Sequence, residues 1–313
     1  MIGKRSPRGR LGIAAALLAV LALAAAAQAQ AAPKARVVLA RNLRAIDGRD
    51  VCHPAETARL FDRALEALTG AATAADAWKA LGLVPADTVA IKVNCNNWTI
   101  ALSPKPELVA ALCRSLQALV PAERIIVYDD SAEALRESGF AVNRTASGVR
   151  FTGTGEDGFD ESERLTRILT RDATKIINLA SLKTVDERDF IVSLLLKNHV
   201  GSLVPADMSK CHGDPDFLAG VCARPSIRSK TILNMVTGLR GTYRRGVPWY
   251  WAGIILGRDP LAVETAAIGV INSRRRNEGL APLPLPRYLA IAMDKYNLGT
   301  CIAERIEEVQ LKI

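Results

Sequence analysis

Histidine is scarce in this chain, with three in 313 residues, and aromatic residues make up only 5% of it. Several short patterns that mark common chemistries are missing. There is no G-x-S-x-G elbow, no P-loop, no G-x-G-x-x-G after the first expected strand and no H-E-x-x-H. Hydrolase-triad, nucleoside-triphosphatase, dinucleotide-oxidoreductase and zincin readings therefore lose the residues each depends on. No long low-complexity run follows the N-terminal segment, so disorder is not indicated, and no internal repeat is visible. What is present suits a folded chain: 49% hydrophobic residues are ample for a core, and 23% charged residues are ordinary for a globular protein.

Residues 1–32 read as a cleavable Sec-type signal peptide. Lys4, Arg5, Arg8 and Arg10 form a positive start, Leu11 to Ala27 an apolar run, and small residues offer cleavage near Ala29 to Ala32. The run is slightly short and Ala-rich for a membrane anchor, which is the alternative. There is no adjacent arginine pair for twin-arginine export, and no cysteine stands where a lipoprotein anchor would need one. A periplasmic or secreted location is expected, with membrane contact only through the leader during export. Four of the nine net positive charges lie in that leader, leaving about +5 on residues 33–313. That is too mild to indicate nucleic-acid binding, and a local basic cleft for an acidic small molecule is the more economical reading.

Beyond the leader the pattern predicts a single α/β domain over residues 33–313. Its architecture is a predominantly parallel sheet flanked by helices on both faces, with loop-rich insertions. Strands are expected at Ala35 to Ala40, Thr88 to Asn94, Arg124 to Tyr128, Lys175 to Leu179, Lys230 to Val236 and Ala252 to Leu256, with an edge strand over Arg305 to Leu311. Helices are expected at Pro54 to Leu68, stopped by Gly70, at Ala74 to Leu81, Pro106 to Leu119, Pro260 to about Ser273, and Arg287 to Tyr296. Asp259 and Pro260 form an N-cap and first-position pair. The Gly- and Thr-rich stretch 148–158 suits a hairpin or surface excursion, and residues 202–228 read as loops punctuated by Pro205, Pro215 and Pro225. Strand, helix, strand at this spacing implies right-handed crossovers and a parallel sheet.

The stretch 175–201, KIINLASLKTVDERDFIVSLLLKNHVG, organises the functional reading. A buried strand leads into a polar loop carrying Lys183 and Thr184, then into a helix ending in Lys197, Asn198 and His199. In open α/β sheets that strand end is where ligands bind. Lys92 and Asn94 stand two apart near the end of another buried strand, so they share a face. A buried lysine needs a partner: either it meets a ligand, or it pairs with Asp129 or Asp130. Lys183 beside the Thr184 hydroxyl suits a phosphate or carboxylate, unless the lysine is merely solvated. Asp130 or Ser131 suits a helix cap, and the functional alternative is Asp130 as a carboxylate that orients Lys92 or binds a cation. His212 is the candidate proton carrier.

Cys52-His53 and Cys211-His212 offer an alternative metal or redox set of Cys₂His₂ type, although adjacent residues rarely share one ion and the spacing matches no zinc finger. Six cysteines in an exported chain are open to oxidation, with Cys211 and Cys222 the best-placed pair. The basic, aromatic loop at 240–251, with Trp249, Tyr250 and Trp251, reads either as a lid or interface or as packing over the sheet edge.

IKVN (Ile91 to Asn94), SPKPELVAAL, INLASLKT, LLLKNHVG, KCHGD and GRDPLAVE follow one another in this order. This set resembles the domain of unknown function 362 family over roughly residues 36–300. The resemblance places polar family positions on Lys92, Asn94, Lys183, Thr184, Lys197, Asn198, His212 and Asp259. Asn234 stands where the family often has an acid, and Glu264 replaces a usual Asp. Some members carry a ferredoxin-type module, but no C-x-x-C-x-x-C run is present here, so that iron-sulfur cluster is not carried over. The cofactor is unknown. The leading expectation is an anionic small molecule bound in a basic cleft, with Lys92, Lys183 and His212 in catalytic roles and Asn94, Thr184, Lys197, Asn198, Asp130 and Asp259 binding it. A metal- or redox-handling protein and a non-catalytic binding module are the alternatives.

Overall fold

The structure is a computed structural model of the chain that describes residues 33–95, 102–145, 147–185 and 191–313. The expected leader lies outside those residues. From Ala35 onward, eight strands form one sheet: β1 (Ala35–Arg41), β2 (Val89–Lys92), β3 (Ile125–Asp129), β4 (Arg150–Gly153), β5 (Lys175–Ser181), β6 (Thr231–Thr237), β7 (Gly253–Gly257) and β8 (Ile306–Lys312). Their order is β8-β1-β7-β6-β5-β2-β3-β4. Only β7 runs against its neighbours β1 and β6; the other pairings are parallel.

The apolar runs that make these strands also explain their burial. A parallel strand covered on both faces reads as a continuous hydrophobic stretch, as Val89–Lys92 and Lys175–Ser181 do. Alternate side chains then feed two core layers. Val37, Leu39, Ala90, Ile176, Val236 and Ile255 enter one layer, packed by the Pro215–Cys222, Pro260–Asn277 and Arg287–Asp294 helices. Val38, Ala40, Ile91, Val127 and Ile254 enter the other, packed by the Pro54–Thr69 and Pro106–Leu116 helices. Phe61 and Trp78 are fully buried in that second layer; each such side chain contributes about 2–3 kcal/mol by leaving water. Gly70 ends the Pro54–Thr69 helix at φ 73°, donating its N–H to the Glu66 carbonyl, a backbone conformation that glycine adopts at no steric cost.

Several expectations need correction. The helix expected before Gly201 is one α-turn, Leu195–Asn198, continued as a 3-10 turn over His199–Ser202. Val192 instead bridges back to Thr184, and residues 186–190 lie outside the described set. The 148–158 stretch does not fold on itself: Arg150–Gly153 joins the sheet parallel to β3. Pro205, Pro215 and Pro225 each start a short helix, Pro205–Met208, Pro215–Cys222 and Pro225–Arg228, because proline is pre-set for the first helical position. The 240–251 loop is a hairpin of Gly241–Arg244 and Val247–Trp249. Trp251 is buried, with Arg41 over its ring, and Trp249 packs edge-on to Tyr243, which favours packing over a lid.

All six cysteines are free thiols, so the Cys211–Cys222 pairing is not formed. Among the described residues no helix is long and apolar enough to cross a membrane.

Candidate functional site

One face of the sheet carries a polar row where an apolar one is expected. Lys92, Asn178 and Asn234 sit opposite one another on β2, β5 and β6, with Tyr128 beyond Lys92 on β3. All are buried. They lie near the carboxyl ends of the parallel strands, at the edge where βα connections leave the sheet.

Lys92 is almost fully buried, at 1% exposure, a position a lysine occupies only when paired. Its ammonium forms a salt bridge with Asp129 and donates to the Val93 carbonyl at 2.7 Å and to Asn198 Oδ1 at 3.2 Å. The second oxygen of Asp129 accepts the Cys95 N–H at 2.6 Å. Gly201 lets the chain pass over this pair: a Cβ there would lie 3.1 Å from Lys92 Nζ and 3.3 Å from Asp129 Oδ1. The Thr154 hydroxyl reaches the Asp129 and Gly201 carbonyls and ties the two segments together.

Asn198 completes the centre. It donates to the Lys92 carbonyl at 3.1 Å, to Asn178 Oδ1 at 2.8 Å and to the Leu179 carbonyl at 3.1 Å. Asn178 in turn donates to the Leu195 carbonyl at 3.0 Å and Asn234 to the Arg258 carbonyl at 2.9 Å. The short 195–202 turn thus hangs on amide side chains, which satisfy carbonyls that the sheet ladder leaves open.

Lys183 stands beside this network. Its ammonium donates to Asn94 Oδ1 at 3.0 Å. Burial lowers its pKa to about 8; Asp129 opposes that shift, and the nearby charges of Lys197 and Lys92 reinforce it. The three lysines singled out from the sequence are therefore brought into one electrostatic neighbourhood, together with Asn94 and Asn198.

Other expected residues are placed elsewhere or are occupied structurally. Thr184 is tied to Thr242 through its N–H at 2.9 Å and its hydroxyl at 3.2 Å. Asp259 caps the Pro260–Asn277 helix, accepting from the N–H groups of Leu261 and Ala262, and its other oxygen accepts from Thr300. Asp130 is exposed, and Ser131 is the cap of the next helix, accepting the Ala134 N–H. His212 is exposed in the Ser209–His212 turn.

The Cys₂His₂ alternative fails on geometry. Cys52 belongs to one core layer and Cys211 to the other, on opposite faces of the sheet. Cys52 bonds Thr57 at 3.1 Å, and burial pushes the Cys211 thiol up to about 12. Among the described residues, no group of three or more His, Cys, Asp or Glu side chains could hold a metal ion.

Sequence reasoning left Asp129 and Asp130 as alternative partners of Lys92, of which the structure pairs Asp129, and it passed over Asn178 and His199 as site residues. Asp129 is the last residue of β3, one place nearer the sheet than Asp130, and a pair of adjacent acids hides which one points inward. Asn178 carried a usable signal, as an amide in phase with Ile176 and Ala180 inside an apolar strand. His199 is 2% exposed, and burial beside Lys92 drives its pKa down to about 3, keeping the ring neutral.

No curated protein and no solved structure matches the chain. A protein-family model does: its description is "Domain of unknown function (DUF362)", and it spans residues 89–269, from the first residue of β2 into the Pro260–Asn277 helix. That span takes in Lys92, Asp129, Lys183, Lys197 and Asn198 together, and the chain belongs to the DUF362 family.

Proposed function

We propose that the protein binds a small phosphate- or carboxylate-bearing molecule at the carboxyl edge of β2 and β5, with Lys183 as the charge that meets it. One observation carries this reading: Lys183, bonded to Asn94 at that edge, is held where burial lowers its pKa to about 8, with the charges of Lys197 and Lys92 adding to the shift and that of Asp129 opposing it. A cation so placed is penalised by burial and by like charge, and an anionic guest offsets both. A strand edge in an open α/β sheet is the usual ligand position. Asn94, already bonded to Lys183, would orient the ammonium.

The proposal is one of binding. His212, the expected proton carrier, is exposed and is assigned no proton transfer.

Thermal-shift and calorimetric titration with inorganic phosphate and small carboxylates tests the reading. Anion affinity is expected to fall as pH rises through about 8, where Lys183 loses its proton. Lys183→Ala should abolish binding with little change in melting temperature, and Lys183→Arg should keep binding while removing the pH dependence. Unchanged binding in Lys183→Ala would overturn the proposal.

We also propose that the chain is exported, on the leader alone. N-terminal sequencing of protein from its native cells should find a start near Ala29 to Ala32, and an intact Met1 would refute this.

A further inference from the structure

A cavity of about 430 Å³ lies on the same face of the sheet as the polar row, within the size range of small-molecule sites. Asn178, His199, Cys222, Asn234, Arg258 and Asp259 line it, among others. Asn178 joins it to the lysine centre: it lines the cavity and accepts from Asn198, which holds Lys92. The lysines themselves do not line it.

The polar groups of this cavity divide into spent and unspent. Asp259 is spent on three backbone N–H groups. Arg228, also on the wall, is spent on the carbonyls of Tyr296 and Asn297, at 3.1 and 3.2 Å. The amide nitrogens of Asn178 and Asn234 are spent on the carbonyls of Leu195 and Arg258.

Three groups remain. His199 is 2% exposed, and its Nδ1 has no hydrogen-bond partner. A buried polar atom left in that state costs about 1–3 kcal/mol. Asn234 Oδ1 receives one long contact, at 3.4 Å from Asn178, and keeps accepting capacity. The exposed Arg258 guanidinium has no hydrogen bond or ion pair among the described residues. Leu195, Leu196 and Leu298 supply apolar wall between them.

The geometry points to a second binding site, separate from Lys183, for a small monoanion with an apolar body: its carboxylate or phosphate meets Arg258, and a hydrogen-bonding group at its far end meets His199 and Asn234. Arginine presents a planar fork suited to either oxyanion. Inside the cavity a neutral imidazole exchanges hydrogen bonds without requiring a charged guest. The inference does not rest on the Lys183 reading.

The test uses the whole chain and its three imidazoles, followed by long-range ¹H–¹⁵N correlation. His53→Gln and His212→Gln, both at exposed positions, assign the signals. Titration with 4-hydroxybenzoate or 4-hydroxyphenylacetate should move the His199 ring nitrogens saturably and leave those of His53 and His212 in place. Arg258→Ala, and the uncharged probe 4-hydroxybenzamide, should each weaken that response about tenfold or more. Lys183→Ala should leave it unchanged. A His199 spectrum insensitive to both anions at millimolar concentration would mean that the imidazole is met only by trapped water, and would overturn the site. Full binding in Arg258→Ala would overturn it too, and loss of binding in Lys183→Ala would assign the probe to the neighbouring centre instead.

Discussion

Removing one member of the Lys92–Asp129 pair should cost far more than removing both. Asp129→Ala strands an ammonium at 1% exposure, with only the Val93 carbonyl and Asn198 Oδ1 left to it. It also deprives the Cys95 N–H of its acceptor. Breaking a buried pair in this way costs roughly 3–5 kcal/mol, a large share of a total stability of about 5–15 kcal/mol. Lys92→Met should cost a similar amount by stranding the carboxylate. The double variant Lys92→Met/Asp129→Asn leaves no buried charge, and its amide oxygen can still accept from Cys95. We expect it to lose only about 1–2 kcal/mol, so it should be more stable than either single variant. Urea unfolding reads this directly: with a slope near 3 kcal/mol per molar, the single variants lose about 1 M or more of midpoint. If the losses of the single variants simply add in the double variant, or if Asp129→Ala costs under about 1 kcal/mol, the pair is not the buried charge unit described here. The same double variant separates fold from function, because it should regain stability without restoring the local field around Lys183.

Two further outcomes follow from other buried groups. Glu264 is fully buried, bonded to Tyr288 at 2.5 Å and to the Leu196 N–H at 3.0 Å, and burial raises its pKa from 4.5 to about 7. The folded state thus holds this proton more tightly than the unfolded state, and stability should fall as pH rises from about 4.5 to 7, by roughly 3 kcal/mol. Glu264→Gln should remove that slope, and urea midpoints measured from pH 5 to 8 that fall equally in both proteins would refute it. His199 contributes the opposite slope, losing stability as pH falls from 6.5 toward 3, so its effect shows most clearly in the Glu264→Gln background. For the cysteines, a thiol reagent should titrate all six in denaturant, while in the native protein only the half-buried Cys301 should react readily; four thiols in denaturant would restore a disulfide.

Much of the frame was readable in the sequence because it rests on local rules. Apolar runs of four to seven residues gave the strands, Pro at the first position and Gly after the last bounded the helices, and Asp259-Pro260 was a cap. The failures share a cause. The helix expected before Asn198 has the right residues, but tertiary bonds of Asn178 and Glu264 with its backbone, and of Asn198 with the Leu179 carbonyl of β5, hold it as a single turn. The Gly- and Thr-rich stretch 148–158 suits a hairpin or surface excursion by local signals, and nothing local reveals that Arg150–Gly153 joins β3 as a parallel edge strand. Lys92, Asn94, Lys183 and Asn198 could be grouped since each ends a strand or follows one, and parallel strands bring their ends together. His212 was grouped by its chemistry and by the resemblance of its KCHGD segment, with no strand end to place it.

The polar row itself separates architecture from function. A face built only for stability could carry aliphatic side chains at positions 92, 178 and 234, since replacing bonded buried polar partners by apolar groups of the same shape is often neutral or stabilising. Here the amide nitrogens of Asn178, Asn234 and the neighbouring Asn198 all reach backbone carbonyls: Lys92 and Leu179 served by Asn198, Leu195 by Asn178, Arg258 by Asn234. Those asparagines are explained by completing the fold. The same account does not reach the lowered pKa of Lys183, the orphaned Nδ1 of His199 or the guanidinium of Arg258. None of these completes a strand end or caps a helix. Substitutions should therefore split into two groups, with Asn198→Ala and Asn178→Ala lowering the unfolding midpoint, and Lys183→Ala and Arg258→Ala leaving it in place while each removes a different ligand. A loss of stability in the second group equal to that in the first would return all of these residues to the architecture and leave this edge of the sheet without a binding role.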